Sequence, residues 1–337
     1  MIKNGPWKLS EIKKIPKNGY NVFSCFHCGG GSTMGYKLAG FNVLGGVEID
    51  KKMVEIYKLN HNPEFSYEES IQAFNKRSDY PDEIVNIDIL DGSPPCSSFS
   101  TNGVREKKWG EAHAFREGQA VQNLDNLFFD FIKTAEILKP KIIIAENVKG
   151  LLLGKAKGYV KEIFTGFEKL GYSTQLFLLN SAVMGVPQQR QRVFFIARKE
   201  GIPLKLDFKE PLITVKEAWE NVDENEKPHN RLTANSEVYK KYYKVKPGNN
   251  YADACNGNYF SYSKLAYNKP SKTITAGGNI LHPQYPRYLN RGEITALQTF
   301  PTDYNFNKLD PSYVCGMSVP PYMIQRIALE IKKQWLN

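Results

Sequence analysis

The chain has no long apolar run. Nowhere in its 337 residues does an uninterrupted hydrophobic stretch approach the roughly 20 residues that cross a bilayer. Its first 20 residues mix lysines with prolines where a secretory signal would need an apolar centre. Cysteine is scarce too. The five, Cys25, Cys28, Cys96, Cys255 and Cys315, are odd in number and scattered, which argues against a disulfide framework and for a reducing cytoplasm. Acid is in deficit: 35 Asp and Glu against 45 Lys and Arg leave a net charge of +10. That surplus suits a polyanionic partner, although a merely basic soluble protein carries the same balance. An apolar fraction of 41% is enough for an ordinary core, in one large domain or two modest ones.

What is present gathers around one stretch. Residues 84–90 predict a short buried strand, stopped abruptly by the turn formers Asp91-Gly92-Ser93-Pro94-Pro95. Cys96 follows at once. The two prolines fix their own φ angles and push each preceding residue toward extended geometry, so the approach to the thiol is stiff. Ligands of open α/β sheets bind beyond the carboxyl ends of the strands, where a thiol is placed for chemistry. Taken alone, the stretch reads equally well as a proline-rich loop with a small free cysteine. Two further segments tilt the balance. Residues 141–145 predict a strand ending in Glu146-Asn147-Val148, and Gln188-Gln189-Arg190-Gln191-Arg192 runs two alternate arginines into a strand at 193–197. Thiol, carboxylate and guanidinium are expected at one rim.

Residues 21–26 predict the first strand, followed by the turn His27-Cys28-Gly29-Gly30-Gly31 and a helix at 34–39 closed by Gly40. Glycines there let a backbone approach a nucleotide-type ligand. The next strand, 41–47, ends in Glu48-Ile49-Asp50; an acid about 20 residues after a glycine turn is where such folds bind ribose hydroxyls. Asp50 is placed to cap a helix at 51–60. Cys25-x-x-Cys28 with His27 between also reads as a redox dithiol or half a zinc site, but Cys255 and Cys315 are too isolated to supply a second ligand pair. Residues 97–125 are long and unpatterned and carry Gly103, Gly110 and Gly118 with Arg105, Lys107, Lys108 and Arg116, which predicts a closing loop; a disordered insertion is the alternative. A helix from Asn126 stops before Pro140, another covers 159–170, and strands at 173–180 and 192–197 bracket Gly185-Val186-Pro187. This alternation predicts an α/β fold with a mainly parallel, doubly wound sheet. From about Pro211 the texture turns to Tyr, Asn, Lys and Gly, with no long helix after 215–221, which predicts a small second domain inserted before the sheet domain is completed.

Pro94-Pro95-Cys96, Glu146-Asn147-Val148 and Gln188-x-Arg190-x-Arg192, in that order after the glycine turn, resemble the bacterial and phage DNA methyltransferases that act on carbon 5 of cytosine. The ordered motifs run from Phe26 to about Arg326. The resemblance implies a Rossmann-like S-adenosylmethionine methyltransferase domain at 1–210, completed by a helix within 306–337, and a small, mostly β or irregular target-recognition domain at 211–305. It implies that Cys96 attacks ring carbon 6, that Glu146 meets ring nitrogen 3, that Arg190 favours the thiolate, and that Asn147 and Arg192 orient these groups.

The same resemblance implies S-adenosylmethionine as cofactor and S-adenosylhomocysteine as product, held by Phe26, His27, Cys28, Gly29, Gly30, Gly31, Glu48, Ile49, Ser70, Ile71, Ser93, Pro95, Leu127 and Ser318. Cys28 stands where the family has glycine, Ser70 where it has an acid, Gly292 where it has arginine, and Met317 where it has asparagine. Double-stranded DNA would be met by Ser97, Ser100, Arg105 and Lys107 in the closing loop and by Thr273, Thr275, Gly277 and Gly278 in the recognition segment. No metal and no membrane are implied, and a cognate restriction endonuclease would act separately. An RNA cytosine methyltransferase on the same fold and a catalytically inactive DNA-binding relative are the alternatives.

Overall fold

The structure is a computed structural model and describes residues 5–95, 126–153, 156–255 and 262–336. Its centre is built from runs that are apolar in every position. Val22-Phe23, Ile142-Ile143-Ile144 and Val193-Phe194-Phe195-Ile196 are almost fully buried, the signature of strands covered on both faces. They belong to a seven-stranded sheet made of β1 (Asn21–Cys25), β2 (Asn42–Glu48), β3 (Phe65–Glu68), β4 (Ile89–Gly92), β5 (Ile142–Val148), β6 (Ser173–Asn180) and β8 (Gln191–Arg198), in the order β3-β2-β1-β4-β5-β8-β6. The two-residue β7 (Gln188–Gln189) precedes β8 outside this sheet. Strands β3 to β5 pair in parallel, and β8 runs antiparallel to both β5 and β6. The chain winds outward from β1 in one direction and from β4 in the other, so the switch point falls between the glycine turn and the turn leading to Cys96.

Alternate residues of each strand feed the two faces. Val22, Ile89, Ile144, Phe194 and Ile196 join the core that holds α2 (Gly31–Leu38), the α3 (Lys51–His61) residues Met53 and Ile56, and α12 (Pro321–Ile331). Phe23, Leu90, Ile143, Val193 and Phe195 join the core under α5 (Leu127–Leu138) and α6 (Ala156–Lys169). The short α1 (Leu9–Ile12) and α4 (Ile71–Phe74) complete this part. Asp50 caps α3 as expected, accepting from the Lys52 N–H at 3.0 Å. The strand expected at 84–90 is shorter and later, because residues 82–84 form a 3₁₀ turn and Asn86 takes φ 55°. Strand β5 runs on through Glu146 to Val148, since β8 pairs with it as far as Val148 opposite Arg192.

Between 211 and 305 the described elements are short: α7 (Val215–Ala218), α8 (Glu237–Lys241), α9 (Tyr251–Ala254), β9 (Ser263–Lys264), β10 (Ser271–Lys272), β11 (Ile280–Leu281) and α10 (Arg291–Gln298). Val238, Tyr242, Val245, Tyr251 and Leu281 form a small core of their own. Val215, Trp219, Leu265, Ile274, Leu289, Ile294 and Leu297 instead join the core beside the sheet. Helix α11 (Pro311–Met317) then leads into α12, which packs along α2.

Candidate active site

The glycine turn leaves β1 through three left-handed residues, Phe26 (φ 57°), Cys28 (φ 46°) and Gly30 (φ 81°). A non-glycine residue in this region costs on the order of 1 kcal/mol, so Cys28 holds a conformation that glycine would take freely. The strain is offset by Glu48 at the end of β2. Its carboxylate accepts the Cys28 N–H at 3.0 Å, the Ile49 N–H at 2.9 Å and the Asp50 N–H at 3.0 Å. Burial raises the Glu48 pKa, and the backbone donors pull it back. Beneath the turn His27 stacks on Tyr57 with ring centroids 3.7 Å apart, and burial lowers its pKa to about 4. Gly29 O accepts from the Tyr304 hydroxyl at 2.6 Å.

No side chain caps α2, so its first N–H groups are left facing the turn. A Cβ on Gly31 would stand 2.2 Å from Val319 O, so only glycine lets the 318–319 segment lie against this first turn. Ser318 itself donates from Oγ to Val314 O at 2.8 Å. Ser70 caps α4, with the Ala73 N–H donating to its Oγ at 3.1 Å, while Ile71 and Leu127 are buried in the second core. A left-handed backbone turn running into an uncapped helix N-terminus fits a ligand with an anionic end, such as an amino-acid carboxylate.

The turn toward Cys96 is tied to both neighbouring strand ends. The Ser93 N–H donates to Cys25 O at 3.3 Å, and Asn147 Nδ2 donates to Pro94 O at 3.2 Å. On the other side of Asn147, the Glu146 carboxylate pairs with Arg192 Nε at 2.9 Å. The expected site residues Phe26, Ser93, Pro95, Glu146, Asn147 and Arg192 therefore belong to strand ends that meet at one edge. Cys96, Ser97, Ser100, Arg105 and Lys107 lie outside the described residues.

Arg190 is held differently. It is 2% exposed and donates from Nη1 to Ile274 O at 2.9 Å and from Nη2 to Gly316 O at 3.0 Å. Burial and the neighbouring Arg192 lower its pKa. A Cβ on Gly316 would fall 2.3 Å from the Thr275 backbone, so the end of α11 lies directly on the 273–278 segment expected to meet DNA. That segment is folded tightly: β10 pairs with β7, Thr273 Oγ1 donates to Gln189 O at 2.7 Å, and the Gly278 N–H donates to Thr275 O at 3.0 Å. Gly277 completes this turn.

Three residues with a part in this arrangement are given no role in the sequence reading. Gln188 donates to Gln298 Oε1 at 2.7 Å and to Leu297 O at 3.2 Å, and accepts the Ile274 N–H at 3.1 Å. Gln298 passes the chain of amides on to Ser318 O at 2.8 Å. Asp91, hidden in a cluster that reads as turn chemistry, is 2% exposed and accepts from Ser24 Oγ at 2.7 Å and the Tyr36 hydroxyl at 3.0 Å. Burial raises its pKa to about 7.

The rival chemistries of Cys25 and Cys28 meet a physical obstacle. Both thiols have their pKa raised by burial, with Asp91 acting on Cys25 and Glu48, Asp50 and Glu146 on Cys28, the reverse of what a reactive redox pair needs. Among the described residues no three metal-ligating side chains form a group, and no helix is long and apolar enough to cross a membrane.

A doubly wound, mainly parallel sheet with a glycine turn at its switch point, and a carboxylate and guanidinium pair at the same edge, defines a Rossmann-like methyltransferase. The particular family follows from comparison with known proteins: a model of the C-5 cytosine-specific DNA methylase family matches residues 20–333, and the chain belongs to that family. It is a DNA (cytosine-5) methyltransferase. It is 28% identical to the Type II methyltransferase M.NgoPII of Neisseria gonorrhoeae, over 94% of this chain and 96% of that protein. Its identity to the Type II methyltransferase M1.HphI of Haemophilus parahaemolyticus is 29%, over 93% of this chain and 86% of that one. A structure described as a prophage-encoded DNA modification methyltransferase of E. coli shares the fold, with a TM-score of 0.73 at 19% identity over 95% of this chain and all of the other.

Proposed function

We propose that this methyltransferase carries a methyl group from S-adenosylmethionine to carbon 5 of a flipped-out cytosine in a specific duplex sequence, through a covalent Cys96 adduct. The observation that carries the reading is the pair of hydrogen bonds from Ser93 to Cys25 and from Asn147 to Pro94, which binds the approach to Cys96 between the glycine turn and Glu146.

Carbon 5 of cytosine is a weak nucleophile until carbon 6 is attacked. The Cys96 thiolate forms a bond to carbon 6, electron density moves toward carbon 5 and nitrogen 3, and Glu146 shares a proton with nitrogen 3 to absorb the charge. Arg192 holds the Glu146 carboxylate in place and Asn147 fixes the loop that carries the nucleophile. Arg190 joins the recognition segment and the end of α11 to the sheet beside them. When bound, the cofactor supplies an electrophilic methyl group on a sulfonium. Phe26 to Gly31, Glu48, Ile49, Ser70, Ile71, Ser93, Pro95, Leu127 and Ser318 form its pocket, with the uncapped start of α2 taking the anionic end. Loss of the carbon 5 proton then expels Cys96.

The base must leave the stack to be reached, at a cost of a few kcal/mol that backbone and pocket contacts offset. Residues 211–305 act as the target-recognition domain, with Thr273, Thr275, Gly277 and Gly278 at the duplex, joined by Ser97, Ser100, Arg105 and Lys107. Residues 1–210 with 306–337 are the catalytic domain. The Type II names of the relatives support a cytoplasmic restriction-modification role with a separately acting endonuclease.

The test offers duplex DNA and transfer RNA side by side to the chain and to Cys96→Ala and Glu146→Gln. Methyl transfer to duplex alone, abolished in Cys96→Ala and lowered at least 100-fold in Glu146→Gln with DNA binding kept, is the expected outcome. Full activity in Cys96→Ala removes the covalent mechanism, and transfer to RNA alone removes the substrate.

A further inference from the structure

Asp91 is a buried acid that the methyl-transfer steps above do not use. It lies on β4, one pleat below Glu146 on the neighbouring strand: Asp91 pairs with Ile144, and Glu146 is two residues further along on the same face. Its carboxyl reaches Ser24, two residues before the left-handed turn begins, and Tyr36 on α2, with Ser32 in the first turn of α2 as a third partner. It is also four residues from Pro95, the last described residue before Cys96. The carboxyl thus sits under the junction of the glycine turn, the start of α2 and the approach to the nucleophile.

We propose that Asp91 lets the cofactor pocket distinguish a cationic sulfonium from the neutral thioether that remains after methyl transfer, and that binding the cation releases a proton from this carboxyl. The inference rests on the cofactor reading given above. In the transfer the bond from sulfur to methyl breaks with its electron pair going to sulfur, the new bond forms to carbon 5, and the sulfur loses its positive charge. A buried anion beneath the turn and the start of α2 favours the reactant over the product, and in a poorly solvated site the preference is not screened away. Ser24, Ser32 and Tyr36 supply donors that favour the ionised carboxyl, while burial opposes it, so the two forms exchange near neutral pH.

The groups facing Asp91 are Cys25 on β1, Tyr36 on α2, Tyr57 on α3 and Glu146 on β5. Cys25, Tyr36 and Tyr57 have their pKa raised by burial and stay neutral there. Glu146 adds a like charge, which raises the cost of ionising Asp91 until a cation arrives.

Calorimetric titration with S-adenosylmethionine and with S-adenosylhomocysteine, at pH 6 and pH 8 and in two buffers of different ionisation heat, tests this. For the unaltered chain the preference for the sulfonium should grow roughly tenfold from pH 6 to pH 8, with proton release on sulfonium binding near pH 7. In Asp91→Asn the preference should stay flat and the proton release fall to what the ligand's own amino group accounts for, a contribution common to both proteins. Equal pH dependence in the two overturns the proposal. Should Asp91→Asn fail to fold, Tyr36→Phe, which removes one donor to the ionised form, must move the pH midpoint upward; an unmoved midpoint overturns it as well. A folded, unaltered chain that binds neither ligand would instead remove the cofactor reading on which the proposal stands.

Discussion

Three histidines are buried in forms that resist protonation, His27 and His61 at the glycine turn and His282 beside Trp219. Burial lowers the pKa of His27 to about 4 and those of His61 and His282 to about 3, so all three are neutral in the folded chain at pH 5 while an unfolded chain would carry them charged. The stability they contribute is full above the ordinary histidine value near 6.5 and is lost as pH falls toward 4 and then 3. Asp91, Glu48 and Asp130, with pKa values raised by burial, act in the opposite sense over the acid range, while Asp79, Glu217 and Glu237, lowered by side-chain hydrogen bonds, act with the histidines. Six groups against three leave a net loss, and thermal melts should show a lower Tm at pH 4.5 than at pH 6.5. A Tm unchanged between these values would contradict the buried neutral histidines. Glu48 was legible in the sequence as the acid after the second strand, but its three backbone partners were not, because they depend on a left-handed Cys28 that no spacing announces. Asp91 was missed for a related reason: an aspartate before Gly-Ser-Pro-Pro reads as turn chemistry, and only the burial of β4 makes it an interior acid.

At the scale of elements, strands and helices around the sheet were readable because long apolar runs and glycine stops leave few alternatives. Strand Ser173–Asn180 coincides with its expectation, and α3 begins at its expected aspartate cap. The strand expected at 84–90 drifted because apolar residues in a 3₁₀ turn mimic its start. What the sequence did not reveal is how the 273–278 segment is fastened. Gln188, Gln298 and Arg190 tie β7, α10, Ile274 after β10 and the end of α11 into one buried polar knot, and the Gln188-x-Arg190-x-Arg192 motif names the first and last of these without saying what they hold. Gln188→Leu leaves the Ile274 N–H and Gln298 Oε1 without that partner in a buried site, while Gln298 Nε2 keeps Ser318 O. Each unsatisfied group costs about 1–3 kcal/mol, so urea denaturation should place this variant about 2–6 kcal/mol below the unaltered chain. A loss under about 0.5 kcal/mol would show that the knot is not the fastening.

Over the whole molecule, the stretch 211–305 is anchored by its share of the sheet-side core, while a smaller core of Val238, Tyr242, Val245, Tyr251 and Leu281 stands apart. Texture alone suggested a second region from about Pro211; it could not show that Val215, Trp219 and Ile294 pack into the sheet-side core, since an apolar residue in a short helix carries no label for its partner. The net charge of +10 predicts that affinity for non-cognate duplex falls linearly in log–log plots of binding against salt, with a slope of several units. A slope near zero in filter binding between 50 and 200 mM salt would remove the phosphate contacts from the account.

The central claim is that three distant segments meet so that one sulfur attacks one ring carbon. Incubation with cofactor and a duplex carrying 5-fluorocytosine tests it directly, because fluorine cannot leave carbon 5 as a proton does and the adduct stays trapped. Peptide mapping of the denaturation-stable complex should find the base on Cys96. A trapped base on any other residue, or an active chain that traps none, would contradict the account.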